Sequence, residues 1–335
     1  MNATVTPSMA RGVHVTPRLP PFVFDDPGVQ GAWFGGDVGR TAAWNALSIV
    51  AGVGEQGIMD AGRWLVEHID DPVVADETRR FVQQEAFHSA VHARLNRALA
   101  SCGLPTDQVR DLVVSLMEEC ERLGGRATFL GAMLAGEQVI GEIGHALLDR
   151  PDTFDGAPES VRALWQWHFF EEVEHQAALH DGWTHVFGAN KVARDRRVLG
   201  AAYALVLLIA AWPAASWAMV PAADRARRSR PSTWGSAYRQ MFGSGGLVRG
   251  AARNLTALVR VDFHPFDMHD PVPTLDRLRD ELVDPVWERP MRAVPAGAPV
   301  ERPPLAPVGL WDLIGLARFA AFAVRRSLLF MWTVR

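Results

Sequence analysis

Cysteine is scarce in this chain: Cys102 and Cys120 are the only two among 335 residues. Two thiols argue against a disulfide framework and against a thiolate metal site, so both read as small buried hydrophobes. A cationic excess is also missing. The formal net charge is −4 and the isoelectric point is near 6.3, which gives no global pull toward nucleic acid, and no nucleic-acid partner is expected. The first residues lack a continuous apolar core and a cleavage pattern, so they do not read as a secretory signal. The cytoplasm is the expected compartment, with contact to a membrane surface as the open alternative.

What is present is helical periodicity. Residues 1 to about 36 carry five prolines and no sustained period, which suggests an irregular N-terminal arm, a tail leading into the first helix. Helix A is expected over Gly39 to Ile69, ended by Asp70, Asp71 and Pro72, and helix B from about Asp76 until Gly103 and Pro105. Helix C comes in two parts, Thr106 to Leu123 and Arg126 to Leu148, with Gly124 and Gly125 as a kink between them. Helix D is expected to run unbroken from Glu159 to Val186 and to stop at Gly188. The fold class implied is all-α: a ferritin-like four-helix bundle over residues 37–190, with additional C-terminal helices over 191–335 packing on the bundle or on a membrane surface.

Two stripes carry the chemistry. Phe81, Glu85, His88, His92 and Leu95 recur at steps of four and three, as do Trp165, His168, Glu172, His175 and Leu179, so each set lies on one face of its helix. Glu85-x-x-His88 and Glu172-x-x-His175 are apolar at their ends and point into a core, where an ionisable group without compensation is costly. A pair of metal ions compensates them, because di-metal carboxylate bundles take Glu-x-x-His from two helices and one further Glu from each of the other two. Helix A offers Glu55 and helix C offers Glu137, at intervals of 30 and 35 residues from the motifs that follow them. Oxygen and imidazole donors without thiolate suit two irons, or manganese, or a mixed pair, while zinc would more often be four-coordinate.

Other polar residues read differently. His168 is either a seventh ligand or a group that orients one. His92 is expected to orient a carboxylate by hydrogen bond, with a ligand role as the alternative, and His145 to be a satisfied core histidine. Glu142, Glu171 and Glu174 fall on other faces and are expected in solvent. Val198 to Ala223 contains no charged residue and is long enough to span a bilayer of roughly 20 apolar residues. Pro213 and equal basic flanks leave a docked helix, a monotopic contact and a true span as three readings. The C-terminal LWDLIGLARFAAFAVRRSLLFMWTVR is amphipathic and cationic, as an interfacial or a docked helix would be.

Through NALS (Asn45 to Ser48), Gly54-Glu55, QEAFHSAVHARLN (Gln84 to Asn96), LWQWHFFEEVEH (Leu164 to His175) and FHPFD (Phe263 to Asp267), the chain resembles the ferritin-like predicted metal-dependent hydrolases over about Asn45 to Asp270. That resemblance implies a helical di-metal fold. The chain departs from the family pattern at Gln138, where His commonly follows the helix C Glu, and at Gln176, where Lys commonly follows the last His. The run His168-x-x-x-Glu172-x-x-His175 is locally similar to the di-iron arylamine N-oxygenases, in which such a run supplies a third histidine. It implies an oxygen-dependent monooxygenase or oxidase, with dioxygen as co-substrate, an organic and lipophilic or amine-bearing small-molecule substrate, and electrons from an external donor. The alternative is a hydrolase using a metal-bound water. A homodimer is compatible with either.

Overall fold

Asp71 shows how local chemistry sets the element boundaries. In the computed structural model, which describes residues 7–24, 27–244, 246–249, 255–291 and 300–334, helix α1 spans Val38–His68 and α2 begins at once, spanning Pro72–Ser101. Asp71 accepts hydrogen bonds from the Val73 and Val74 amides, and Pro72 occupies the first turn where its missing N–H costs nothing. The residues expected only to end the first helix therefore also start the second, about four residues early. Helix α3 spans Thr106–Leu148 and is kinked at Gly125, whose φ of 73° is a left-handed conformation that glycine adopts without a side-chain penalty.

The expected single helix D is two: α4, Glu159–His175, and α5, Ala178–Phe187. No Gly or Pro marks the break. It falls at Gln176, whose side chain turns inward to Glu142 and His145. Next come α6 (Lys191–Ala218, with Pro213 inside it), α7 (Pro231–Phe242), α8 (Val272–Leu282) and α9 (Leu310–Thr333), joined by short 3-10 turns. Among the described residues no strand forms; Arg18 and Glu288 make one isolated bridge. The fold is all-α.

The apolar helix α6 is docked. It packs on α1, α3 and α9, and it meets α3 so closely that a Cβ on Gly200 would overlap the Gly131 backbone. The Trp212 indole donates to the Ala43 carbonyl of α1 at 3.0 Å. Among the described residues α6 is the one helix long and apolar enough to cross a membrane, and half of its most apolar window is buried inside the protein.

Two sequence expectations are corrected here. The N-terminal arm is irregular but no tail: Val13, Val15, Phe24, Trp33 and Phe34 are buried, and Arg18 is fully so. Cys120 is buried, with its thiol pushed up to about 12 by burial, whereas Cys102 is exposed at the C-terminal end of α2 and is no core residue.

Candidate metal centre

Four helices aim donors at one interior point. Helix α1 supplies Glu55, α2 supplies Glu85, His88 and His92, the second half of α3 supplies Glu137, and α4 supplies His168, Glu172 and His175. None is more than 1% exposed. His175 Nε2 lies 3.0 Å from Glu85, 3.2 Å from Glu172 and 3.3 Å from Glu137. His88 Nδ1 lies 3.4 Å from Glu85 and 3.5 Å from Glu172, and His168 Nε2 lies 2.8 Å from the same Glu172 oxygen. Glu55 approaches His92 and His168 at 3.8 and 3.9 Å. The structure thus brings together all seven residues expected to bind metal.

Packing this many acids away from water is unfavourable unless positive charge joins them. Burial raises Glu55 well above the carboxylate range, helped by the charge of Glu85, and pushes Glu137 up to about 8, helped by Glu85 and Glu172. For the histidines burial works against protonation. Even so, Glu85 holds His88, and Glu172 holds His175, well above the usual imidazole value. Glu172 goes the other way: burial opposes its charge, but the charge of His175 keeps it well below the usual range. A site that draws protons onto two imidazoles and two carboxylates is short of positive charge.

Three carboxylates there have no donor. Among the described residues, nothing hydrogen-bonds to either oxygen of Glu55, Glu85 or Glu137, or to Nδ1 of His88. The imidazoles nearby reach ion-pair distance without hydrogen-bond geometry. Bare oxygen and nitrogen atoms in an interior where buried polar groups are nearly always paired fit metal cations. The two sets of donor atoms within 4.8 Å of one another, Glu85, His88, Glu172 and His175 in one and Glu55, His88 and His168 in the other, share His88.

The surroundings fix which nitrogen each histidine presents. Glu171 accepts from His88 Nε2 at 3.0 Å, which leaves Nδ1 facing the acids. Gln84 donates its amide N–H to Thr16 O and Glu174, so its Oε1 must accept from His175 Nδ1, and Nε2 faces inward. A third chain starts at Asn96. Its amide N–H reaches Ser48 O and its Oδ1 accepts from the Ser48 hydroxyl, so Ser48 Oγ accepts from His92 Nδ1, and His92 Nε2 accepts from His168 Nδ1 at 2.9 Å. His168 Nε2 is then left without a proton, facing a Glu172 oxygen. Two lone pairs at 2.8 Å repel, and a cation between them removes the conflict. His92 therefore orients an imidazole, not the carboxylate expected of it.

Glu142, Glu171 and Glu174 are not in solvent. All three are at most 3% exposed. Arg18, from the N-terminal arm, donates to Glu171 and to both oxygens of Glu174, each at 3.0 Å. The arm covers the back of α4, so the face opposite the metal stripe is interior as well. Glu142 accepts from Gln138 at 3.0 Å and Gln176 at 3.3 Å, and His269 lies 3.1 Å away. Gln138 and Gln176 thus meet on one buried carboxylate. His145 is a satisfied core histidine, bonded to Gln176 and stacked on His269.

Sequence reasoning missed Arg18, Ser48, Gln84, Asn96, Glu171 and Glu174. All but Arg18 lie inside the motifs quoted above, so the signal for them was present. Arg18 sits in a proline-rich stretch with no periodicity to single it out.

The profile of the family described as predicted metal-dependent hydrolase matches residues 16–269. That span covers most of the chain and holds Arg18 and every donor, and the chain belongs to this family. No curated protein and no solved structure matches it.

Proposed function

We propose that this family member binds two metal ions through Glu55, Glu85, His88, Glu137, Glu172 and His175, with His168 as a seventh ligand, inside a ferritin-like four-helix bundle over residues 37–190. The observation that carries this reading is the set of buried, donorless carboxylate oxygens on Glu55, Glu85 and Glu137. Glu137 and Glu85 lie with His175, Glu55 lies with His168, and Glu172 and His88 stand between the two groups. Four carboxylates and two divalent ions balance in charge, which the isolated acids do not.

The reaction class proposed is hydrolysis of a small organic ester, amide or phosphate, in keeping with the family. Two bound metals supply Lewis acidity that acidifies a water molecule and polarises the bond to be cleaved. The chain's own residues prepare for it. Glu171 and Gln84 hold His88 and His175 with their donor nitrogens inward, and the Asn96–Ser48–His92 chain does the same for His168. Trp165, Trp167 and Phe81 pack against these rings and exclude bulk water.

A second reading has its own support. Donors limited to carboxylate and imidazole, with a third imidazole and an aromatic enclosure, also suit a non-haem di-iron enzyme that uses dioxygen on a lipophilic or amine-bearing substrate, with electrons from an external donor. Metal analysis of protein purified without added metal, followed by turnover of ester, amide and phosphoester probes with and without dioxygen, separates the two. Product formed equally well under anaerobic conditions supports hydrolysis. Oxygen-dependent turnover with about two irons per chain overturns it for the second reading, and protein lacking bound metal that cannot be loaded overturns both.

A further inference from the structure

Helix α9 is apolar on both faces. Its inner face, including Phe319, Ala323 and Phe330, is buried against α3 and α6. Gly315 is seated so close that an added Cβ would stand 2.8 Å from the Leu123 carbonyl oxygen. Asp312, the one acid in α9, is tied to Arg196 at 2.7 Å. The helix is therefore held on the protein by its inner face, and its outer face is available to something else.

That outer face is exposed hydrocarbon. Trp311 and Trp332 are 82% and 85% exposed, and Val324, Leu328 and Leu329 lie between them at about half or more. Next to Trp332, Met331 lines a 320 Å³ groove with Trp212 and Pro213 of α6 and Tyr238 and Phe242 of α7, so the apolar surface continues off the helix. Apolar surface of this extent, rimmed by charge, marks an interaction site.

The rim is cationic. Arg318 and Arg325 are exposed on the outer face, and Arg325 borders the same depression as Val324, Leu328 and Trp332. The Arg228 guanidinium, buried, donates to the Val334 carbonyl at 3.2 Å, which brings the exposed Arg225, and Arg227 with its partner Asp224 at 3.5 Å, to the end of the helix. A second copy docking through this face about a two-fold axis would set arginine near arginine. Anionic lipid would instead meet those charges with opposite ones.

We propose that α9 and the adjoining groove dock the protein on an anionic bilayer surface, with α9 lying flat in the interface. The two tryptophans, 21 residues and about 31 Å apart along the axis, would anchor its ends at the headgroup level. Because the inner face stays packed, the helix does not need to leave the protein or cross the membrane.

Vesicle flotation of the full-length protein tests this, using phosphatidylcholine alone and phosphatidylcholine with phosphatidylglycerol. Binding is expected on the anionic vesicles, weakened by salt, and little on the neutral ones. Replacing Leu328 and Trp332 together by Glu should abolish it while metal content and thermal melt stay unchanged, since both side chains are exposed. Arg318→Gln with Arg325→Gln should lower binding on the order of 10- to 30-fold. Failure of the parent protein to float with anionic vesicles overturns the proposal. So does binding that the Leu328 and Trp332 pair does not affect, or a concentration-dependent dimer that the same pair dissolves.

Discussion

The centre of this molecule and the outer face of α9 are built as opposites of one another. Inside, carboxylates and imidazoles stand where a helical core usually holds aliphatic side chains; outside, Val324, Leu328 and Trp332 stand where charge is usual. Each inversion is costly unless a partner compensates it. The interior shows how far the chain can go by itself, because Arg18 pairs with Glu171 and Glu174 whereas, among the described residues, Glu55, Glu85 and Glu137 are left without donors. Unpaired polar atoms inside and unpaired hydrocarbon outside are two forms of the same signal, a surface shaped for something other than polypeptide.

The contrast is most severely tested at the centre. Glu85→Ala and Glu172→Ala should each lose bound metal and abolish turnover, since Glu85 faces the inward nitrogens of His88 and His175, and Glu172 those of His88, His168 and His175. Two metals retained in both variants, measured by elemental analysis, would remove the assignment.

Next comes the support behind α4. Arg18→Met leaves Glu171 and Glu174 buried without their main cation, and breaking a buried ion pair from one side costs about 3–5 kcal/mol. A clear fall in melting temperature is expected, together with weaker metal retention. An unchanged melt would mean that the arm only covers α4 and does not brace it.

His168→Ala should keep the fold and much of the metal, because six other ligands remain, yet lose most turnover. His92→Ala, which removes only an orienting hydrogen bond, should lose on the order of 10–100-fold. Equal losses in the two variants would contradict a ligand role for His168.

Acidity should move metal affinity in one direction. Glu55, Glu137, His88 and His175 all have raised proton affinity in the metal-free protein, and each must give up its proton to bind an ion. Metal binding measured by competition with a chelator should therefore strengthen from about pH 6 to about pH 8. A flat profile would show that protons and metal do not compete there.

The smallest effect is expected outside. Leu328→Ser should change thermal stability by no more than about 0.5 kcal/mol, as is usual for exposed positions. A larger loss would mean that part of the chain covers this face in solution.

The metal stripe was legible in the sequence because helical periodicity is local: Glu85 and His88, or Glu172 and His175, declare their shared face by spacing alone. The same periodicity misplaced Glu171 and Glu174. It correctly put them on another face of α4, but it carries no information on what covers that face, and the cover comes from a residue more than 150 positions away. Glu142 was misplaced for a related reason, since its partners Gln176 and His269 arrive from later segments. The break after His175 was illegible because neither Gly nor Pro makes it. The kink at Gly125 was legible because glycine does.

The docking of the arm also bears on when the site can be completed during synthesis. Residues 8 to 19 are translated well before α4, but they bind Asp181 through Ser8, Glu171 and Glu174 through Arg18, and the Trp287 and Arg289 backbone through Leu19 and Pro17. Every one of those partners is made at least 150 residues later. Val15 and Thr16 can bond Glu77 and Gln84 once α2 is made, but Arg18 must wait for α4, and loop closure over such distances is slow. The arginine that braces the centre is thus made before the helices it braces, and an ion captured before the arm docks would sit beside a His88 whose backing carboxylate, Glu171, still lacked it.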